Sequence, residues 1–299
     1  MYTIKSQPED FVVEEVLDVE KLGNGRFFIY KIVKKNWTTE RAISIICREF
    51  NIVKKQVGFC GNKDKVALTT QYISLPKKVE DYDRDGVSLK FVVGDKERLS
   101  LGMHEKNKFK IVVKGLKDKK YNKIKSFPNY FGSQRFSKNN FEIGLAILKN
   151  DYEKACSLID DDRVIDYLQD HSGEYIDALR KVDVRFFIHA FQSKIFNEVL
   201  EEYGEDVEIP LTNFDLDVKS EVGKLTLGKL EKYGVEVEDF ILRSFPECVQ
   251  ETVFRKGFVD VEDFKIEFKG KTALVEFVLS KGAYGTVFIE ELFRNPKVF

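Results

Sequence analysis

The sequence predicts a mixed α/β protein in which strands and helices alternate without a repeat. Three observations point that way. Segments with an apolar residue at every second position, such as Lys108-Phe109-Lys110-Ile111-Val112-Val113-Lys114, fit strands that bury one face. Apolar residues three and four apart, as at Phe187, Phe191, Ile195 and Val199, fit one face of a helix. At 299 residues, 43% of them hydrophobic and 13% aromatic, the chain exceeds one comfortable core, so an insertion or a second domain is expected.

Residues 11–18 and 26–34 read as strands joined through Lys21-Leu22-Gly23-Asn24-Gly25. Asn24-Gly25 is a turn dipeptide, and the two strands are expected to form a hairpin. Thr38 or Thr39 can cap a helix running to about Phe50, with Ala42, Ile45, Ile46 and Phe50 spaced to face a core. Strands are expected over residues 56–60 and 69–75, flanking a turn that carries Asp64. Residues 185–202 form an amphipathic helix by the spacing already given. Near the end, residues 264–268 and 273–279 read as strands and residues 284–293 as a short helix.

A net charge of −1 conceals an asymmetry. Between residues 101 and 125 nine Lys stand against Glu105 and Asp118, whereas between residues 151 and 175 eight acids stand against Lys154 and Arg163. The strand 108–114 is expected at a sheet edge, where its lysines either follow a phosphate backbone or guard the edge against pairing. Cys47, Cys60, Cys156 and Cys248 lie far apart without C-x-x-C spacing, and only His104, His171 and His189 could join them, so neither a disulfide framework nor a metal site is expected. No run approaches the roughly 18 apolar residues of a membrane span. Met1-Tyr2-Thr3-Ile4-Lys5 does not open a signal peptide, and a cytoplasmic protein is expected.

The segment from Val57 to Gln71 holds one carboxylate, Asp64, between Lys63 and Lys65 in a glycine-marked turn. Adjacent cations favour the charged form of a carboxylate and offer contacts to phosphate. An ionised Asp is also a competent nucleophile. Taken alone, the segment reads as a solvated turn.

Its surroundings change that reading. Gly61-Asn62-Lys63-Asp64-Lys65-Val66-Ala67-Leu68-Thr69-Thr70-Gln71 resembles the G-x-K-D-[KR]-x-A-[VL]-T-x-Q signature of the TruD family of tRNA pseudouridine synthases. Pro8-Glu9-Asp10-Phe11-Val12-Val13-Glu14-Glu15, with Lys5 upstream, is similar to that family's P-x-D-F-x-V-x-E block. Leu101-Gly102 is a weaker match. Asn129-Tyr130-Phe131-Gly132-Ser133-Gln134-Arg135-Phe136 resembles N-Y-F-G-x-Q-R-F, residues 190–197 a helix block that follows it, and Gly282-Ala283-Tyr284-Gly285-Thr286 the G-S-[YF]-A-T block. Departures fall at Ser137, where Gly is usual, and at Ala283 and Gly285, where Ser and Ala are usual.

This resemblance implies the pseudouridine synthase fold, with a mixed, largely antiparallel sheet and an inserted smaller domain. The catalytic domain would span residues 1–155 and 247–299, and the TRUD-type insertion residues 156–246. It also implies a tRNA substrate, uridine 13 as the target, and Asp64 as the catalytic carboxylate, with no cofactor and no metal. Whether that carboxylate adds to C1′, attacks the base or abstracts a proton is left open. Phe131 would stack on the flipped uracil, Asn129 would read its edge and Tyr284 would close the pocket, against core packing for Phe131 and Tyr284 and a turn cap for Asn129. Lys5 matches the family's active-site Lys, Gln134 and Arg135 would orient the Asp64 loop or bind phosphate, and Lys63 and Lys65 would meet the RNA backbone. The alternatives are an RNA-binding protein without turnover and a hydrolase using Cys60.

Overall fold

In a computed structural model, which describes residues 2–23 and 25–294, the chain folds into two compact units. The first comprises residues 1–126, 260–285 and 291–299, and the second residues 127–259 and 286–290. Along the chain come β1 (Phe11–Val16), β2 (Phe27–Lys35), α1 (Thr39–Glu49), β3 (Gly58–Phe59), β4 (Leu68–Leu75), β5 (Tyr82–Arg84), β6 (Val87–Asp95) and β7 (Lys106–Lys114). There follow β8 (Ser126–Pro128), α2 (Asn140–Leu148), α3 (Tyr152–Leu158), α4 (Asp162–Asp170), α5 (Tyr175–Leu179), α6 (Val184–Tyr203), β9 (Glu208–Leu211), α7 (Glu221–Lys232), β10 (Val253–Lys256) and β11 (Phe258–Asp260). Finally, β12 (Glu262–Lys269) and β13 (Thr272–Ser280) return to the first unit, and α8 (Gly285–Phe293) follows them.

The first unit is built on a nine-stranded mixed sheet in the order β12-β13-β7-β1-β4-β2-β6-β5, with β3 paired to β4. Only β1 and β4 run parallel; the other pairings are antiparallel. Alternation along each strand decides its faces. In β2, Tyr30 and Ile32 point inward with Ile73 and Leu75 of β4 and Leu89 of β6, and α1 covers them with Ala42, Ile43, Ile46 and Cys47. Each such aliphatic side chain contributes about 1.5–3 kcal/mol when fully buried. Thr38 starts α1 as expected, its hydroxyl accepting the N–H of Arg41 at 3.2 Å. Ile45 and Phe50 pack only partly against this core, and Ile43 takes a fully buried place that the expected set omitted.

Two expectations fail here. The strands β1 and β2 do not form a hairpin: β4 lies between them, parallel to β1 and antiparallel to β2. Residues 17–26 are long enough to carry the chain past that strand, and they include a helical turn at Val19–Lys21. The Asn24 half of the expected turn lies outside the described residues. Nor is β7 an edge, since it pairs with β1 on one side and β13 on the other. Its lysines are largely matched across the strands: Lys110 pairs with Glu276 at 3.0 Å, Lys106 with Glu262 at 2.6 Å, and Lys114 with Asp10 at 2.6 Å. The exposed lysines left over are Lys108 of β7 and, in the connection after it, Lys117, Lys119, Lys120, Lys123 and Lys125.

The second unit is mainly helical. Its longest element, α6, buries Phe191, Ile195 and Val199 as the spacing predicts, leaves Phe187 of the expected face only partly buried, and ends at Gly204, whose φ of 72° is the left-handed conformation glycine supplies. At Gly144 an added Cβ would run into the carbonyl of Phe187, so α2 approaches α6 only because that residue lacks a side chain. Phe141 of α2 stacks on Phe191, ring centres 5.5 Å apart. Two small antiparallel ladders, β9–β10 and β8–β11, complete the unit. No helix among the described residues is long and apolar enough to cross a membrane.

Candidate active site

Asp64 sits on the loop between β3 and β4, at the middle of the sheet of the first unit. The loop stands on a set of buried polar contacts. Thr39, at the first turn of α1, accepts the N–H of Lys63 at 2.9 Å and donates to Gln71 Oε1 at 2.9 Å, while Gln71 Nε2 donates to the carbonyl of Gly61 at 3.0 Å. Lys34 points inward from β2 and donates to the carbonyl oxygens of Trp37 at 2.7 Å, Asp64 at 2.8 Å and Lys63 at 3.3 Å. Such groups are costly to bury unless paired, and here they pair with the loop's own backbone.

The side chains on either side of Asp64 go different ways. Lys63 turns inward, forming an ion pair with Glu15 at 2.8 Å and donating to Asn107 Oδ1 at 2.9 Å; its side chain is 8% exposed and that of Glu15 fully buried. Glu15 Oε2 also accepts the N–H of Tyr72 at 2.9 Å. The final Glu of the N-terminal block is therefore a foundation of the Asp64 loop. Lys65, by contrast, is exposed.

Asp64 itself meets Lys5. The ammonium donates to Oδ2 at 2.5 Å and lies 4.1 Å from the centre of the Phe11 ring. Oδ1 takes no hydrogen bond from a described residue, and the Asp64 side chain remains 36% exposed. Lys5 holds a φ of 58°, a left-handed conformation uncommon outside glycine, so the backbone is bent against preference where its side chain reaches the carboxylate. Asp10 secures this approach: its carboxylate accepts the N–H of Gln7 at 3.1 Å and pairs with Lys114, while Thr3 and Lys114 exchange backbone hydrogen bonds.

Beneath the loop, Cys60 is 1% exposed, and burial, with the Glu15 carboxylate beside it, pushes its thiol up to about 12. His104 is buried next to it, and burial, reinforced by the Lys63 charge, lowers its pKa. With Cys60 sealed from solvent and its thiol form favoured, the hydrolase reading loses support even though His104 lies beside it.

The remaining candidates divide between the units. Tyr284 belongs to the first, capping the start of α8. Asn129, Phe131, Gln134 and Arg135 belong to the second. Asn129 is buried, donating to the carbonyl of Lys256 at 3.0 Å and accepting from Arg255 at 2.5 Å through Oδ1. Phe131 is 7% exposed and meets Phe196 edge to face at 5.4 Å, with the Arg255 guanidinium 4.3 Å from its ring centre. Asn197 clamps its backbone, accepting its N–H at 2.9 Å and donating to its carbonyl at 3.0 Å. Arg135 lies 5.5 Å from the same ring, and its buried Nε has no partner among the described residues. Gln134 is exposed.

Known proteins give this arrangement its context. The family model for tRNA pseudouridine synthase D (TruD) matches residues 2–159 and 206–292. The chain belongs to the TruD family. Its members are tRNA pseudouridine synthases, which are isomerases. A protein of Methanocaldococcus jannaschii, named probable tRNA pseudouridine synthase D 2, is 35% identical over 67% of this chain and 60% of its own length. One from Nanoarchaeum equitans, named a probable tRNA pseudouridine synthase D, is 30% identical over 98% of this chain and 99% of its own. The fold is shared with the crystal structure of a candidate TruD protein from Methanosarcina mazei, with a TM-score of 0.70, 21% identity, and coverage of 98% of this chain and 93% of that one.

Two of the three departures from the TruD blocks have local causes. Ser137 has extended backbone (φ −64°, ψ 154°), and the left-handed residues are the next two, Lys138 and Asn139, so no glycine is needed at 137. At Gly285 an added Cβ would lie 2.8 Å from Cδ1 and Cε1 of Phe109, so the ring fills the space an alanine methyl would take.

Sequence reasoning missed Lys34, Glu15, Asn107, Thr39 and Gln71. One signal was available: Lys34 continues the inward series Tyr30, Ile32, where a charged residue demands a partner.

Proposed function

We propose that this protein converts a uridine of tRNA, uridine 13, to pseudouridine, with Asp64 as the catalytic carboxylate. The reaction breaks the bond from C1′ to N1 and forms one from C1′ to C5; the C5 proton leaves, N1 gains a proton, and no electrons enter or depart. It therefore asks for a placed carboxylate and a base turned out of its stack. The observation that carries the reading is the Lys5–Asp64 contact: a strained residue delivers a cation to one carboxylate oxygen and leaves the other, on a half-open side chain, for a nucleotide.

In this reading Lys5 orients the carboxylate, Lys65 and the lysines after β7 meet RNA phosphates, and Lys63 holds the loop from below. By their motif positions alone, Phe131 is assigned to stacking on the uracil, Asn129 to its edge, Gln134 and Arg135 to the Asp64 loop or a phosphate, and Tyr284 to closing over the base. The catalytic domain is assigned to residues 1–155 and 247–299 and the insertion to 156–246. Asp64→Asn tests the core of the proposal. It should bind tRNA as the unaltered protein does and form no pseudouridine, whereas full turnover would remove Asp64 from its role. A transcript with cytidine at position 13 should stay unmodified; pseudouridine appearing elsewhere in it would refute the choice of position.

A further inference from the structure

Lys34 carries no part of the family signature, yet it is the most deeply buried cation beside the Asp64 loop. It is 0% exposed, in register with Thr69 of β4 and Val87 of β6. A buried ammonium is tolerated only where acceptors meet its protons. Its three N–H groups have three: the carbonyl oxygens of Trp37, Lys63 and Asp64. Two of these belong to the loop and the third to the segment leading into α1, so one side chain ties the backbone at 63 and 64 to the framework.

We propose that Lys34 is a positioning residue for Asp64, a buried cation that fixes the loop backbone through the carbonyl groups on both sides of the Asp64 α-carbon. The inference rests on the reading of Asp64 as the reacting carboxylate. It gives the site a built-in alkaline limit. Burial lowers the Lys34 pKa to about 8; Lys63 pushes the same way and Asp64 opposes both. The cross-strand neighbours Thr69 and Val87 and the nearby Thr39 carry no charge. An amine has two N–H groups and a lone pair, so loss of the proton turns that lone pair toward one of the three carbonyl oxygens. The clamp is whole below about pH 8 and loosens above it.

The test measures amide hydrogen exchange over residues 62–66, corrected for intrinsic base catalysis, and steady-state pseudouridine formation on a tRNA transcript, both from below to above pH 8. Wild type should show excess loop opening and a falling kcat over the same range, with KM unchanged. Lys34→Met should open the loop at every pH and lower kcat by about 10- to 100-fold with no alkaline limb, the scale of a misplacement near 1 Å. Lys34→Arg, charged throughout, should retain part of the activity and lose the limb. Loop exchange in Lys34→Met identical to wild type, or an unchanged limb in Lys34→Arg, overturns the proposal. Should neither variant fold, the 13Cε resonance of Lys34 in the wild type decides: a midpoint near 8 tracking loop exchange supports it, and titration at the ordinary lysine value overturns it. Asp64→Asn should keep the pH-dependent loop opening without turnover. Full activity in that variant would refute the reading of Asp64 while leaving the exchange result intact.

Discussion

Removing Lys63 should damage the fold before it damages RNA contact, because its ammonium serves a carboxylate that has no access to water. In Lys63→Met, Glu15 keeps only the N–H of Tyr72 as a donor, at 2.9 Å. Breaking a buried pair in this way costs about 3–5 kcal/mol. In Glu15→Gln the ammonium retains Asn107 Oδ1 and a little solvent, so about 2 kcal/mol is expected. The double variant strands no charge and should lose about 4 kcal/mol, not the sum of about 6, a coupling near 2 kcal/mol. Urea unfolding followed by tryptophan fluorescence reads this cleanly, since the single Trp, Trp37, belongs to the first unit and donates from Nε1 to the carbonyl of Asp85 at 2.7 Å. Release of the C5 hydrogen from labelled uridine would report the accompanying loss of turnover. Additivity within about 0.5 kcal/mol would refute the idea that these two charges sustain each other.

Gly285→Ala forces a methyl against Phe109, which Phe277 stacks on at 5.0 Å, and should destabilise the protein by about 1–3 kcal/mol; an unchanged melting temperature would mean the ring has room to move. Phe131→Leu keeps most of the volume beside Phe196, so stability should fall by less than about 1.5 kcal/mol. If the ring stacks on uracil, kcat/KM should fall about 5- to 150-fold, the equivalent of 1–3 kcal/mol, and wild-type kinetics would leave Phe131 a core residue only. Because its folded-state pKa lies well above its ordinary value, Cys60 stays a thiol at neutral pH. Iodoacetamide should label it only upon unfolding and leave activity intact, and rapid labelling of the native protein with loss of turnover would contradict its burial.

Much of this was legible because it is local. The Thr38 cap, the apolar face of α6 and the turn bearing Asp64 follow from residues a few positions apart. What escaped depends on partners distant in the chain. Nothing near Phe11 or Phe27 announces that β4 will separate β1 from β2, and nothing near Lys108 shows that β13 will cover one side of its strand. The site follows the same rule. Asp64 stood out only once the other blocks of the chain joined its segment, and the contacts around it, from Lys5, Glu15, Lys34 and Asn107, come from residues distant in sequence.

The pairing of β7 with β13 also has a consequence for biogenesis. As the chain leaves the ribosome, the strand ending at Lys114 must wait for one that starts at Thr272, with residues 127–259 of the second unit synthesised in the interval. During that wait one side of β7 offers unpaired backbone to any passing strand. Lys106, Lys108, Lys110 and Lys114 make a poor template for such intruders. Lys106, Lys110 and Lys114, which meet acids in the finished sheet, would thus also discourage wrong pairing of an unfinished one.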